Sequence, residues 1–480
     1  MRRQLCVSLA VGVLAVTAGS PPASAAPSMR DVLTATFEVR DLGGVDCSPD
    51  GSAVVWDESF HDPHDLLHSA RYTSVYVRRI AGGPRLRLTA GSQRGFYDEE
   101  NPVWSPNGRE IAFLSDARSK GQLQLFIARA DGSGLRQLSS LTGDVQGLSW
   151  APDGKRLAFL YIAAAHRQAG ALAPGARDVG VIGTTVDEQR LTTIDAANGA
   201  THAVTPPDTY VYEYGWSPDS RQVAVTYAKG NGDNNWWIAR LARVDAATGV
   251  MHDLLAPPYQ IDDPRWSPDG KQIAIIGGVM SDFGSTGGDV YLVDAQSGAS
   301  RDLTAAAPAS VQSLRWNDAS SIDVVAHVSG SMHLMNLDVS AGRLSSLTSH
   351  EESLWSWSSA KAGAVVALVR ASFAAPPEVW AGSPAALRQV SSSNAGARRL
   401  YGKAVSLQWK SDQFNAQGWL VYPLNFDPSR TYPMVTIVHG GPSAASVPSF
   451  GSRNLNALGS QGYFTFMPNP RGSFGQGEEF

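Results

Sequence analysis

The sequence predicts an all-β seven-bladed β-propeller followed by the truncated start of an α/β domain. Three observations predict it. First, a Trp-Ser-Pro-Asp type of tetrapeptide recurs, each time ahead of a short apolar run. The copies are Cys47-Ser48-Pro49-Asp50-Gly51, Trp104-Ser105-Pro106-Asn107-Gly108, Trp150-Ala151-Pro152-Asp153-Gly154, Trp216-Ser217-Pro218-Asp219-Ser220 and Trp266-Ser267-Pro268-Asp269-Gly270. Eroded copies follow at Trp316-Asn317-Asp318 and Trp357-Ser358-Ser359. The steps are roughly 40–65 residues, the period range of propeller blades. Second, every unit carries strand signals and closes on a Leu-Thr-like pair. Third, this grammar stops near residue 395, where strand, glycine-rich loop, helix and strand replace it.

The N-terminal residues 1–25 read as a signal peptide. Arg2 and Arg3 form a positive start, 5–18 is apolar but short for a membrane span, and Ala23-Ser24-Ala25 is a small-residue cleavage site. The mature chain is expected to start at Ala26 and to be exported, periplasmic or extracellular. Residues 26–42 form an N-terminal segment. Of the two cysteines only Cys47 lies beyond this leader, so no intramolecular disulfide is expected. Cys47 fills the Trp slot of the first repeat and reads as a buried apolar side chain.

Residues 43–392 hold the WD40-like repeats. Pro-Asp-Gly is a turn: Pro fixes φ, Asp bonds nearby backbone, and Gly accepts positive φ. A β-branched strand follows, as in Ala53-Val54-Val55-Trp56, Ile111-Ala112-Phe113-Leu114 and Ile273-Ala274-Ile275-Ile276. A second strand is read as alternating, as in Leu125-Phe126-Ile127-Ala128 and Val290-Tyr291-Leu292-Val293. Closing pairs are Leu88-Thr89, Leu138-Ser139, Val204-Thr205, Leu303-Thr304, Leu347-Thr348 and Val390-Ser391. One such unit cannot bury both its faces, whereas a ring of units buries them against each other. The repeat tryptophans therefore read as packing, and the stretch 163–181 as a loop inserted in a blade.

Composition narrows the function classes. The 480 residues are 43% hydrophobic and 17% charged with net charge −5, and no long basic block occurs. Nucleic acid and anionic membrane are not expected partners, and no run after the leader is long and apolar enough for a membrane span. His61, His64 and His68 stand near Asp57, Asp62 and Asp65, but without the spacing of a structural zinc site. A solvated or channel-facing loop is favoured there, and no metal or cofactor is expected.

Residues 393–480 carry the chemical clue. Stretches 404–410 and 416–422 read as strands. Met434-Val435-Thr436-Ile437-Val438 reads as a strand buried on both faces, ending in His439-Gly440-Gly441-Pro442-Ser443. Stretch 454–461 reads as a helix ended by Gly462. Tyr463-Phe464-Thr465-Phe466-Met467 reads as another buried strand, ending in Asn469-Pro470-Arg471-Gly472-Ser473. In such units the loops after strand ends hold ligands. A His-Gly-Gly loop lets a backbone N–H point at developing negative charge.

On Val438-His439-Gly440-Gly441-Pro442, Gly462-Tyr463, and the run from Asn469 to Phe480, the chain resembles the prolyl oligopeptidase (S9) family of serine peptidases, in its acylaminoacyl-peptidase and bacterial dipeptidyl-peptidase branch. The resemblance implies an α/β-hydrolase domain from 393 onward, capped by a propeller that gates entry of short peptides. It implies the Gly441 N–H as an oxyanion donor with Gly440 beside it, and Arg471 in the loop shaping the active-site floor. The family nucleophile lies in Gly-x-Ser-x-Gly, and no serine of this sequence has glycine on both sides at that spacing. The Ser, Asp and His of the triad are expected beyond Phe480, and these residues alone are expected to be inactive. His439 is not the triad histidine, because that residue follows the nucleophile in chain order. Exopeptidases of the family hold the substrate amino terminus with acidic residues. Glu99, Glu100, Glu213, Glu351 and Glu352 are candidates, with plain surface the favoured reading of each. The alternative is a periplasmic β-propeller that binds a partner, like the translocation-associated propeller proteins with similar Ser-Pro-Asp-Gly turns.

Overall fold

The computed structural model describes residues 26–62, 64–66, 70–165, 187–230, 235–281, 283–305, 307–348, 351–360, 364–441 and 443–480. The leader 1–25, most of the inserted stretch 163–181, His68 and Pro442 lie outside them.

The described chain opens with a helix, α1 (Met29–Phe37), to which the sequence reading gave no element. Its start was legible. The Ser28 hydroxyl accepts from the Asp31 N–H at 3.2 Å while an Asp31 oxygen accepts from the Ser28 N–H at 2.9 Å, a reciprocal capping box.

Seven four-stranded sheets then succeed one another, each with neighbouring strands in chain order. The first consists of Asp41–Cys47, Ala53–His61, Arg71–Arg79 and Leu86–Leu88, all antiparallel. The repeats read as units of three or four strands, and each sheet has four. The repeat turn explains itself chemically. Ser48, Ser105, Ser217 and Ser267 each bond an Asp or Asn two residues on, at 2.6–2.9 Å, and each hydroxyl accepts an N–H five residues on at 2.9–3.0 Å. Gly51, Gly108, Gly154 and Gly270 take φ near +70°, and Ser220, standing in the glycine slot, is held at +62°.

The Leu-Thr endings cap the sheets. Ser139, Thr205, Thr304, Thr348 and Ser391 each accept the N–H of a third-strand residue, from Leu125, Leu191, Val290, Leu334 and Val379. Several also donate to a buried partner: Thr89 to Glu99 at 2.7 Å, Ser139 to Gln124 at 2.7 Å and Thr304 to Asp289 at 2.5 Å.

Apolar clusters fill the space between successive sheets. Val55, Val75 and Val77 pack on Ile111, Phe113 and Phe126, and Leu125 and Ile127 on Leu157 and Phe159. The seventh sheet returns to the first, where Ala367, Val369 and Val379 meet Val54 and Trp56. The Val45 and Cys47 N–H groups donate to Ser356 and Ser358 at 2.9 and 2.7 Å across this junction. Sandwiching between neighbours corrects the alternation expected of the second strands. Gln124–Ala128 is buried at every residue because both of its faces meet another sheet. Cys47 is buried as expected, and burial pushes its thiol up to about 12.

The repeat tryptophans reach across as well as pack. Trp150 donates to the Val103 carbonyl at 3.2 Å, Trp316 to Arg265 at 3.0 Å and Trp357 to the Ser313 hydroxyl at 2.6 Å, each in the preceding sheet.

An eighth sheet follows, in the order Tyr401–Ser411, Phe414–Pro423, Phe464–Asn469, Met434–Thr436. Its last pair is parallel, joined through helix α2 (Arg453–Ser460). The strand expected at 434–438 is shorter and is not buried on both faces. Met434 is 57% and Val438 59% exposed, because among the described residues this strand is paired on one side only. Helix α1 lies on α2 through Val32, Ala35 and Ala457, so the two ends of the described chain share one small core.

Candidate active site

The two loops singled out in the sequence meet. His439-Gly440-Gly441 follows the edge strand, and Asn469 to Ser473 follows its parallel neighbour. His439 Nε2 lies 2.8 Å from Ser473 Oγ. Asn469, fully buried, spans the gap. Its carboxamide oxygen accepts from the Ser446 N–H at 2.7 Å, and its NH₂ donates to Ser446 O at 3.0 Å and to Gln417 Oε1 at 2.8 Å.

Gly441 sits at φ +137°, a region open mainly to glycine. A Cβ there would come within 2.7 Å of the Ser443 nitrogen and 3.1 Å of Ser281 Oγ. The second contact marks where the loop docks. Ser281 and Ser285, in the fifth sheet between Gln272–Gly278 and Asp289–Asp294, donate to the Ser443 carbonyl at 3.0 and 3.2 Å. Among the described residues, a Cβ added at Gly440 would meet nothing within 4 Å. Arg471 pairs with Asp412 at 2.9 Å in the turn between the first two strands of the sheet. Arg471 is about half and Asp412 about two-thirds exposed, so the pair is worth at most about 1 kcal/mol.

The segment after Ser473 runs into the ring of sheets. Phe474 is buried against Gly287 and beside His327, and the Gly475 N–H donates to Ser310 at 3.0 Å. Burial pulls the His327 imidazole down to about 4. Trp419 donates to the Gly330 carbonyl at 3.0 Å. These contacts fix the eighth sheet to the fifth and sixth.

A cavity of about 1030 Å³ lies inside the ring, lined by first-strand residues of each of the first seven sheets, among them Val45, Asn101, Leu148, Asp263, Ser313 and Trp355. A smaller one of about 310 Å³ lies beside Asp57 and Glu100. Burial and the neighbouring carboxylates of Asp57, Asp98, Asp144 and Asp116 push Glu100 up to about 7, and burial pushes Asp57 up to about 6.

The acidic candidates separate. Glu99 is wholly buried and bonded to Arg87 at 3.1 Å and to Thr89 and the Ala90 N–H at 2.7 and 2.9 Å. Glu352 is buried and paired with Arg370 at 3.1 Å. Glu213 accepts from the Asp263 N–H at 2.8 Å, and burial beside Asp262 and Asp263 raises it well above the carboxylate range. These three are internal structural groups rather than plain surface, because each accepts from backbone or pairs a partly buried arginine. Glu351 alone is exposed. Among the described residues no group of three His, Cys, Asp or Glu could hold a metal ion.

Stretches of the chain are related in sequence to dipeptidyl-peptidases, and its fold is similar to that of solved acylaminoacyl and puromycin-hydrolyzing peptidases, which supports a peptidase of the S9 family. No family model matches the chain. A stretch of 108 residues is 35% identical to a probable dipeptidyl-peptidase 5 of Aspergillus clavatus, covering 21% of this chain and 15% of that protein. Another of 155 residues is 28% identical to the dipeptidyl-peptidase 5 of Porphyromonas endodontalis, covering 32% and 21%. The matched stretches therefore span well under a third of these relatives. Among solved structures, the acylaminoacyl peptidase of Pyrococcus horikoshii superposes with TM-score 0.67 at 16% identity, over 92% of this chain and 67% of that one. A puromycin-hydrolyzing peptidase of Mycobacterium tuberculosis gives 0.66 at 16% identity, over 94% and 69%.

Proposed function

We propose that the seven sheets are the blades of one propeller over 43–392, that 393–480 begins an α/β-hydrolase domain, and that both serve an exported serine peptidase acting on short peptides. The carrying observation is the seating of the His-Gly-Gly loop against the fifth sheet, with the Asn-Pro-Arg-Gly-Ser loop at its side. In this reading a serine attacks the scissile carbonyl while a histidine takes its proton. The Gly441 N–H donates to the resulting oxyanion, the amine leaves with the proton, and water then hydrolyses the acyl-enzyme. Gly440 leaves space beside this donor, and Arg471 borders the floor. The internal cavity of about 1030 Å³ fits a role in admitting short peptides. Export rests on the leader-like residues 1–25.

No serine of these 480 residues stands in Gly-x-Ser-x-Gly, so the residues described supply oxyanion stabilisation and substrate admission, not the nucleophile. A partner-binding propeller leaves residues 393–480 without a purpose and is the weaker reading.

The test is hydrolysis of dipeptidyl and acylaminoacyl p-nitroanilides by the product of the native gene. Turnover abolished by a serine-directed phosphonate is expected, with no turnover from residues 26–480 alone. Absence of turnover from the native product over a broad peptide panel would overturn the proposal.

A further inference from the structure

The segment that receives the His-Gly-Gly loop is anchored from behind. Ser281 and Ser285 donate to the Ser443 carbonyl at 3.0 and 3.2 Å. The next residue, Thr286, donates instead to Asp262 Oδ2, in the first strand of the fifth sheet (Gln260–Trp266). Both of these side chains are buried. Asp262 is held in turn. Its Oδ1 accepts from the Asp263 N–H at 2.7 Å, the same N–H donates to Glu213 at 2.8 Å, and a side-chain hydrogen bond joins Glu213 to Asp262. Glu213 stands in the first strand of the fourth sheet (Tyr210–Trp216). Two sheets therefore fix Asp262 independently of the loop. Gly287 follows Thr286, and a Cβ added there would meet the Phe474 ring at 2.7 Å. Phe474 directly follows Ser473, so this one segment touches the continuation of both site loops.

Ser281, Ser285 and Thr286 lie between strands, so no sheet ladder fixes their backbone. Ser285 and Thr286 share one peptide unit. The bond to Asp262 and the bond to Ser443 therefore bear on the same piece of backbone. A buried hydroxyl and carboxyl that lose each other stay desolvated and unpaired, which ties Thr286 to Asp262. The consequence is geometric. A misplacement of about 1 Å at a reacting site costs about 100-fold in rate. A donor that acts in the transition state alone lowers kcat when misplaced and leaves KM unchanged.

We propose that Thr286 and Asp262 are positioning residues: Thr286, moored to Asp262, sets the place of the Gly441 N–H through Ser281, Ser285 and Ser443. This rests on the peptidase reading of the preceding section and adds to it the groups that aim its oxyanion donor. Both act through the serines and leave the chemistry to other groups.

The test is steady-state hydrolysis of a dipeptidyl p-nitroanilide by the native protein and its variants, with kcat taken per site titrated by a fluorophosphonate, beside hydrogen exchange of the same proteins. Thr286→Val keeps the shape and removes the donor. It is expected to lower kcat by about 10- to 100-fold with KM unchanged, and to speed exchange at 443–446 while the first three sheets keep their protection. Thr286→Ala, which removes the donor and leaves no methyl against Asp262, is expected to match it. Thr286→Ser keeps the hydroxyl and is expected to retain the parent kcat and exchange. Ser281→Ala with Ser285→Ala cuts the route at the loop and is expected to give the same loss, with nothing further from adding Thr286→Val. Unchanged kcat in both Thr286→Val and Thr286→Ala overturns the positioning role and leaves the peptidase reading intact. So does a loss confined to the number of titratable sites with exchange faster throughout, which is general destabilisation, and so does a loss that Thr286→Ser fails to restore. Losses that add in the triple variant overturn the route through the serines. Absence of turnover and of labelling in the native protein overturns the peptidase reading and the positioning role together.

Discussion

His439 Nε2 lies 2.8 Å from Ser473 Oγ, joining the tips of the two loops that follow the parallel strands of the eighth sheet. A histidine beside a serine invites a catalytic reading, but the geometry is that of a brace. Ser473 is buried in a turn closed by its own N–H to Pro470 O at 3.0 Å, and the other nitrogen of His439 faces the Gly440 carbonyl at 3.0 Å instead of a carboxylate. Ser473→Ala in the native protein is expected to lower peptide hydrolysis by up to about 100-fold through loop misplacement. Loss of a nucleophile costs about a million-fold. Retention of phosphonate labelling in this variant checks the assignment, and its disappearance would make Ser473 the nucleophile.

Gly330 couples the sixth sheet to the site. It sits at φ +81°, and an added Cβ would meet Gln417 Oε1 at 2.0 Å. That oxygen holds Asn469, which holds Ser446. Gly330→Ala is expected to destabilise the eighth sheet by about 2 kcal/mol through backbone strain and displacement of Gln417. Hydrogen exchange should speed up in 401–423 and 464–469 while the first three sheets keep their protection. Uniform protection throughout would contradict the coupling.

Glu100 gives the stability a pH dependence of defined sign. Its folded carboxyl is pushed up to about 7 from an ordinary 4.5, so between those values the folded state holds more protons than the unfolded chain. Its contribution is complete below about pH 4.5 and is lost as pH rises through about 7. Asp57, up to about 6, acts in the same direction. Glu100→Gln is therefore expected to raise stability at pH 8 by about 1–2 kcal/mol after allowance for solvent screening, with little change at pH 4. Denaturant midpoints at the two pH values measure it. An equal effect at both would remove burial of this charge as the cause.

Thr304 shows what the closing pairs do. Its hydroxyl donates to Asp289 at 2.5 Å and accepts from the Val290 N–H at 2.9 Å. Thr304→Val keeps the shape and strands two buried groups, at an expected cost of about 1–3 kcal/mol in thermal or urea unfolding. A neutral substitution would show that neither bond matters.

The repeats made the sheets legible because turn chemistry is local. Ser48, Asp50 and Gly51 bond one another within a few residues, so their spacing is written in the chain. The Leu-Thr endings were visible too, but not their partners. Glu99 and Asp289 are chosen by register between strands, which no local pattern states, and Glu99 and Glu352 accordingly looked like surface. The edge position of 434–436 depends on strand order, so a continuous apolar run was read as buried. The His-Gly-Gly and Asn-Pro-Arg-Gly-Ser loops were legible as motifs. Their meeting through His439 and Ser473, and their docking on Ser281 and Ser285, depend on contacts across more than 150 residues for the latter pair. The capping box at Ser28 is local too, written in Ser28 and Asp31.

The central claim is that this chain serves a serine peptidase. The most direct measurement is fluorophosphonate labelling of the native protein in source culture, followed by peptide mapping of the labelled species. The expected result is one labelled serine in a Gly-x-Ser-x-Gly context, on a polypeptide that also yields peptides from 393–480. Recovery of those peptides only from species that carry no label would contradict it.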